Sequence, residues 1–341
     1  MARTVALIRG DGTGPELTAA TLEVLRAVGT SVELVECEAG FEWWQAHGGQ
    51  MLIPAESWKK IETADACLKG PTTTPVGPGT PRSVAVTIRQ GMRLYANIRP
   101  IRTFLGTIRP LGDVDFICVR EATEGLYSGL EHRLSDDVAI AFRKVTREPS
   151  AKVARIAFEE AKRRSWKKAY AITKQNILKE TDGLFMEAAQ EVHKDYTEIA
   201  LEEYFIDNFS QQLVKNPQRF NQSVVFGTNL FMDIISEEAS GLVGSIGCIY
   251  SANFGDDYAM LEPAHGSAPQ YKGQDKVNPT ATILAAAWML DYLGEKDRAK
   301  AVFKATEEVI AEGKRVTYDL GGSARLSEMA GEIAKRARKL L

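Results

Sequence analysis

Short runs rich in β-branched residues alternate along the first part of the chain with longer stretches whose apolar positions recur at helical spacing. Thr4–Ile8 reads as a strand, residues 15–28 as a helix and 31–35 as the next strand. Both limits of that helix have a cause. Pro15 suits a first turn, whose amide needs no partner, and Gly29 suits the position just past the last turn. Farther on, residues 94–98, 115–119 and 169–173 are strand-like, whereas 153–164, 182–193, 229–241, 280–293, 296–312 and 326–340 carry helical periodicity. Strands separated by helices predict an α/β chain of parallel strands joined by helical crossovers. Residues 69–79, KGPTTTPVGPG, are too broken by proline and glycine for either element and read as an ordered loop of the kind that carries function.

A length of 341 residues points to about two domains with ample apolar content for a core. Charge narrows the partners: 42 Lys and Arg against 45 Asp and Glu, net −3, provide no global basic field for nucleic acid or an anionic membrane. An anionic ligand has to be gripped locally. No apolar stretch approaches the ~18–20 residues of a membrane span and no cleavage pattern follows the start, so a cytoplasmic protein is expected. Cys37, Cys67, Cys118 and Cys248 form no C-x-x-C pair and read as buried apolar residues, and the histidines show no i, i+4 pair for zinc.

Four segments carry candidate chemistry. GDGTG at residues 10–14 follows a strand and opens a helix, as a dinucleotide fingerprint would, but its spacing is G-x-G-x-G and Glu16 occupies the first helical turn, so it reads as a tight turn. RSVAVTIRQ, LYANIRPIR and VREATEGLYSG place Arg82, Arg89, Arg99, Arg102 and Arg120 in or beside apolar, strand-like stretches. A desolvated guanidinium needs an anion, supplied by structural ion pairs or by a small polycarboxylate clamped bidentately. Asp233 and Glu237 stand four apart on a helical pattern, so both carboxylates leave one face. They are either a solvated face or an oxygen-only site for Mg²⁺ or Mn²⁺. Finally, residues 261–280, LEPAHGSAPQYKGQDKVNPT, crowd Gly, Ser, Pro, His and Asn ahead of a helix, a pattern able to cradle phosphate or adenine.

Taken in order, GDGTGPE, KGPTTTPVG, RSVAVTIRQ, LYANIRP, REATEGLYSG, TKQN and NLFMDIISEEAS through EPAHGSAPQY resemble the β-decarboxylating dehydrogenases, which act on isocitrate, homoisocitrate, 3-isopropylmalate or tartrate and malate. The likeness covers nearly the whole chain. It implies a two-domain α/β isocitrate/isopropylmalate dehydrogenase-like fold, not a Rossmann fold, with the active site in an interdomain cleft and completed by a second subunit of a homodimer. Residues 1–97 plus 246–341 would form the larger, cofactor-binding domain and 98–245 the smaller domain with the dimer contacts. By the same resemblance Arg89, Arg99 and Arg120 clamp substrate, with Ser83 and Asn176 beside it; Tyr127 and Lys174 are catalytic; and Asp233 and Glu237, with Asp207 of the partner chain, hold Mg²⁺ or Mn²⁺. Cofactor contacts fall on Thr74, Glu262, His265, Gly266, Ser267, Ala268, Gln270, Tyr271, Asn278 and Tyr318. The family's chemistry would then run from hydride transfer to loss of CO₂, with Lys174 relaying the hydroxyl proton and Tyr127 protonating the enolate.

Ser83 resembles the serine with which the isocitrate branch meets a third carboxylate, whereas Ala85 and Ala122 stand where that branch carries asparagine. Isocitrate is therefore the expected substrate, with homoisocitrate or 3-isopropylmalate as alternatives and a noncatalytic subunit of the same fold as a further reading. Gln270 and Gly322 stand where NADP-using relatives carry cations for the 2′-phosphate, which favours NAD and leaves NADP open. Glu237 departs from the family's aspartate and Met232 from its glycine.

Overall fold

The computed structural model describes residues 3–107 and 111–341. It divides into two compact units: residues 1–92, 104–108 and 243–341 form the first, and 93–103 and 109–242 the second. In chain order the first unit opens with β1 (Thr4–Ile8), α1 (Gly14–Ala27), β2 (Glu33–Glu36), α2 (Phe41–His47), α3 (Ala55–Thr63), β3 (Ala66–Lys69) and α4 (Val84–Gly91). The second unit comprises β4 (Ala96–Arg102), β5 (Asp115–Glu121), β6 (Glu131–Arg133), β7 (Ala139–Ala141), α5 (Arg147–Arg163), β8 (Lys168–Thr173), α6 (Thr181–His193), β9 (Ala200–Phe205), α7 (Ile206–Lys215), β10 (Ser223–Gly227) and α8 (Asn229–Ser240). The chain then returns to the first unit with β11 (Tyr250–Phe254), β12 (Ala259–Pro263), α9 (Thr280–Tyr292), α10 (Lys296–Glu312) and α11 (Leu326–Lys339).

Within the first unit the strand order is β2-β1-β3-β12-β11, parallel apart from the β11–β12 hairpin. Its core packs Val5, Leu7, Leu68 and Leu261 of the sheet against Leu17, Leu284, Val302, Met329 and Ile333 of the helices. α9 is buried on nearly every face, which its run of alanines permits and which explains why it reads as a strong helix with little polar face. In the second unit the order is β4-β5-β10-β8-β9, with β4 antiparallel to β5 and the rest parallel. Phe158 of α5 and Phe185 of α6 meet Phe226 of β10 at centroid distances of 5.8 and 5.9 Å. The parallel α/β expectation thus holds for most strands, and the two antiparallel pairs are additions to it.

Two local readings change. Residues 84–91 form a helix, although V-A-V-T-I alternates like a strand; Ser83 caps it by accepting from the Val86 amide at 3.1 Å, and Val84 and Ile88, one turn apart, are both buried. The helix expected from residue 153 starts six residues earlier, at Arg147, with Pro149 in its first turn. The GDGTG segment is a tight turn: Gly10 and Gly12 have φ of 85° and 57°, and a Cβ on Gly12 would lie 2.4 Å from the Ser267 carbonyl oxygen. Asp11 fills the turn from inside, its carboxylate accepting the amides of Phe41, Glu42 and Thr73 at 2.8–3.0 Å.

Candidate active site

In the second unit, parallel pairing brings the carboxyl ends of β5, β10, β8 and β9 to one edge. Open parallel sheets bind ligands at that edge, because the connections leaving it are free to diverge. Arg120 sits near the end of β5, Asn229 just beyond β10, Lys174 just beyond β8 and Asp207 just beyond β9. Arg99 enters from antiparallel β4, in register with Cys118.

Arg120 is buried, and its guanidinium donates to Asn229 Oδ1 through Nε at 2.9 Å and Nη2 at 2.7 Å, and to Asp233 through Nη1. Its carbon centre lies 4.9 Å from the Tyr127 ring centroid, and the Tyr127 hydroxyl donates to Asp233. Arg99, equally buried, donates to Glu237 at 2.8 Å and lies 3.6 Å from Asp233. Asp233 and Glu237 therefore converge on one positive charge, and it is this convergence that spares them the repulsion expected one turn apart. Burial pushes the Tyr127 phenol up; the Arg120 charge opposes this, the bond to Asp233 reinforces it, and the net shift is upward, so the ring keeps its proton.

Lys174 Nζ lies 2.7 Å from Asp207, and this bond holds the exposed Asp207 carboxyl below its usual range. Asn176 is exposed in the turn that follows Lys174. Among the described residues no group of three His, Cys, Asp or Glu gathers within one chain. What the chain presents to a divalent cation is an oxygen-only pair already focused on a cationic centre, together with Asp207 on a separate strand end. That donor set fits Mg²⁺ or Mn²⁺ with a third carboxylate supplied from outside.

In the first unit, the loop after β12 lines a pocket of about 350 Å³ with Ile246, Gly247, His265, Ala268, Tyr271, Asn278 and Tyr318. His265 Nε2 is shielded from solvent and lacks a partner among the described residues; burial holds the imidazole below its usual range and therefore neutral. An orphaned ring nitrogen beside the apolar walls of Ile246 and Val277 fits a flat heterocycle with hydrogen-bonding edges, as in the adenine of a dinucleotide. The loop is locked from below. Ser267 is buried, its hydroxyl 2.6 Å from Thr73 Oγ1 and its carbonyl taking the Thr13 amide at 2.9 Å. Asn278 donates to Asp319 at 2.9 Å and caps α9 by accepting the Thr280 amide. Thr74, Gly266 and Gln270 are exposed, and of these Gly266 lines the pocket.

Ser83 accepts one bond as a cap, leaving its hydroxyl proton to donate. Arg89 is buried and occupied within its own unit, donating to Asn253 and Glu262, both at 2.8 Å. Lys69 approaches the same Glu262 at 3.0 Å. Burial alone would push the Glu262 carboxyl up; Lys69 and Arg89 overcome it and hold Glu262 far below its usual range.

The sequence reading missed three members of these clusters. Asn229, whose Nδ2 is buried without a partner because Oδ1 faces Arg120, offers a donor to an anion. Lys69 supplies half of the charge on Glu262. Lys276 places Nζ 5.1 Å from the Tyr271 ring centroid and 4.8 Å from that of Tyr318, beside the pocket.

The family model described as isocitrate/isopropylmalate dehydrogenase matches residues 4–333, and the chain belongs to that family of decarboxylating dehydrogenases. It is 42% identical over 341 residues to a 3-isopropylmalate/3-methylmalate dehydrogenase of Methanocaldococcus jannaschii, covering 98% of this chain and 99% of that protein. It is 41% identical over 346 residues to an isocitrate/homoisocitrate dehydrogenase of Thermus thermophilus, covering both in full. The crystal structure of isocitrate dehydrogenase from Methylococcus capsulatus superposes with a TM-score of 0.94 at 41% identity, covering 98% of this chain and 99% of that one.

Proposed function

We propose that the protein oxidatively decarboxylates isocitrate to 2-oxoglutarate with reduction of a nicotinamide dinucleotide, NAD in preference to NADP, and with Mg²⁺ or Mn²⁺. The observation that carries this reading is the hydrogen-bonded cluster of Arg99, Arg120, Tyr127, Asn229, Asp233 and Glu237, in which cations, acceptors and an acid stand within contact of one another.

Arg99 and Arg120 suit substrate carboxylates, each fork able to take two oxygens, and the free amide of Asn229 adds a donor. Asp233 and Glu237, with Asp207 of a second chain, would hold the cation. When bound, it supplies positive charge that acidifies a coordinated hydroxyl and steadies an enolate. Lys174, which stands 2.7 Å from Asp207 and so would enter the site with it from the second chain, would relay the hydroxyl proton away, and Tyr127, kept protonated by burial, would return a proton to carbon after CO₂ departs. In the first unit His265, Gly266, Ala268, Tyr271, Asn278 and Tyr318 line the pocket and would hold the adenosine half of the cofactor, with Thr74, Glu262, Ser267 and Gln270 assigned to it by the family resemblance. Arg89 and Ser83 present donors to the substrate, Ser83 to a third carboxylate.

Homoisocitrate is the second reading, favoured by Ala85 and Ala122, which remove donors and leave room for one more methylene. A homodimer is supported by the segment around β6 and β7, where Leu130, Leu134, Val138 and Phe142 are exposed together on an arm too small to bury them itself. No helix among the described residues is long and apolar enough to cross a membrane.

The test is formation of reduced cofactor, followed by near-ultraviolet absorbance, with isocitrate, homoisocitrate, 3-isopropylmalate and malate, each with NAD and NADP, with and without Mg²⁺. Metal-dependent turnover highest with isocitrate is expected. Turnover highest with another acid reassigns the substrate, and silence in every combination identifies a noncatalytic subunit.

A further inference from the structure

Arg143 follows β7 at the base of the exposed arm, in the second unit. Its side chain is only 14% exposed, and it pairs with Asp182, whose side chain is fully buried. Burying an ion pair is costly and adds little net stability, so its retention calls for a reason in what the pair holds. Arg143 Nη1 donates to Asp182 Oδ1 at 2.5 Å and to Thr181 Oγ1 at 2.6 Å, and Nη2 donates to Thr228 Oγ1 at 2.7 Å. The other oxygen of Asp182 accepts the backbone amide of Lys174 at 2.6 Å.

Thr228 stands at the N-cap of α8, yet its side chain makes no capping bond. Its hydroxyl is turned to Arg143 instead, giving up the capping bond that threonine ordinarily makes there. The next residues of the Arg143 strand bind a third segment. Gly125 donates to the Lys144 carbonyl at 2.8 Å, and Glu124 accepts the Thr146 amide and hydroxyl at 2.8 and 2.6 Å, which fixes the turn that carries Tyr127.

We infer that the buried Arg143–Asp182 pair is a positioning device that ties the Lys174 turn, which with Asp207 would serve the second chain's site, to the start of the helix bearing Asn229 and Asp233 and to the Tyr127 turn. The inference rests on the proposed roles of Lys174 and Tyr127. Neither Arg143 nor Asp182 touches substrate; they act through the backbone of the residues that do. Arginine is required because only a planar fork reaches Asp182, Thr181 and Thr228 together.

The experiment compares Asp182→Asn, Arg143→Lys, the double variant and Thr228→Val with wild type, all as full-length enzyme. Measured are kcat, substrate KM, dinucleotide Kd and the primary isotope effect with substrate deuterated at the carbinol carbon. Misplacing catalytic groups by a fraction of an ångström should lower kcat about tenfold or more, with KM and Kd within about threefold of wild type. The isotope effect should rise as chemistry becomes rate-limiting, and the double variant should lose no more than the worse single variant, because the pair acts as a unit. Thr228→Val, which removes one acceptor and leaves the ion pair intact, should show the same pattern at smaller amplitude and serves where a charge variant fails to fold. A folded variant with kcat within about threefold of wild type, an unchanged isotope effect or a loss confined to KM overturns the inference. Wild-type enzyme inactive on every acid would overturn the functional reading instead, before any variant is compared.

Discussion

At the scale of single residues, the chemistry of the cofactor pocket turns on two side chains whose surroundings the linear sequence conceals. Lys276 comes only five positions after Tyr271, yet the short turn at Pro269–Tyr271 folds the loop so that its ammonium group stands over both Tyr271 and Tyr318. Gly322 cannot supply a cation from the expected place, because a Cβ there would lie 2.1 Å from the Val316 carbonyl oxygen. Lys276 and the two phenols are the groups we expect to bear on discrimination in favour of a 2′-phosphate. Lys276→Ala is expected to lower kcat/KM with NADP about fivefold or more while leaving that with NAD within about twofold, since a phosphate of about −2 loses a counter-charge. Equal effects on both dinucleotides would place Lys276 outside the recognition of that group. His265 sets the pH dependence. Its folded-state pKa lies below the ordinary value because burial disfavours the charged ring. The unfolded, hydrated ring thus takes up its proton first, and stability, full above about pH 6.5, declines as pH falls toward the folded value. The midpoint of urea unfolding followed from pH 7.5 to 5.5 should show that loss, and His265→Gln should flatten it.

At the scale of elements, what the hydrophobic pattern revealed and what it concealed have physical causes. β1, β8, α1, α9, α10 and α11 were legible because each is long or strongly periodic and bounded by glycine, proline or charge. α4 was not, because Val84, Val86 and Ile88 alternate as a strand would, and only the Ser83 cap and the burial of Val84 with Ile88 decide for helix. The arm of β6 and β7 was missed because both strands are exposed on every residue, leaving no alternation to read. In the site, Arg99, Arg120, Tyr127, Asp233 and Glu237 stood out by type and spacing. Asn229 and Arg143 did not, since an asparagine opening a helix and an arginine after a hairpin look ordinary until their partners are seen. The tie among β3, α4 and β12 was equally hidden: Lys69, Arg89 and Glu262 lie far apart in sequence and meet only through the Met260–Cys67 and Leu261–Leu68 register. Glu262→Gln leaves two buried cations without a counter-charge, so a loss of about 3 kcal/mol or more is expected, read as a lowered midpoint of thermal or urea unfolding. A midpoint within a degree or two of wild type would show that water already neutralises that cluster.

At the scale of the whole molecule, no three candidate metal ligands gather among the described residues of one chain, which also exposes an apolar arm, and a second copy would answer both. Asp233 and Glu237 face Arg99 and Arg120, while Asp207 of the same chain is engaged with Lys174 on another strand end. If each site draws Asp207 from its partner, a chain with Asp207→Asn and one with Asp233→Asn are each inactive as homodimers, because every site lacks a ligand. In a heterodimer the two lesions fall into one site and leave the other intact. Random reassociation yields heterodimers for half of the molecules, each with one working site of two, so mixing should restore about a quarter of wild-type activity. The same mixture made with Leu134→Ser and Phe142→Ser added to both chains should stay inactive and sediment as monomer, because the arm loses the two most exposed of its apolar side chains. Activity of either single-lesion homodimer near the wild-type level, or a mixture as silent as its parts despite verified heterodimers, would mean that the cation is held by one chain alone.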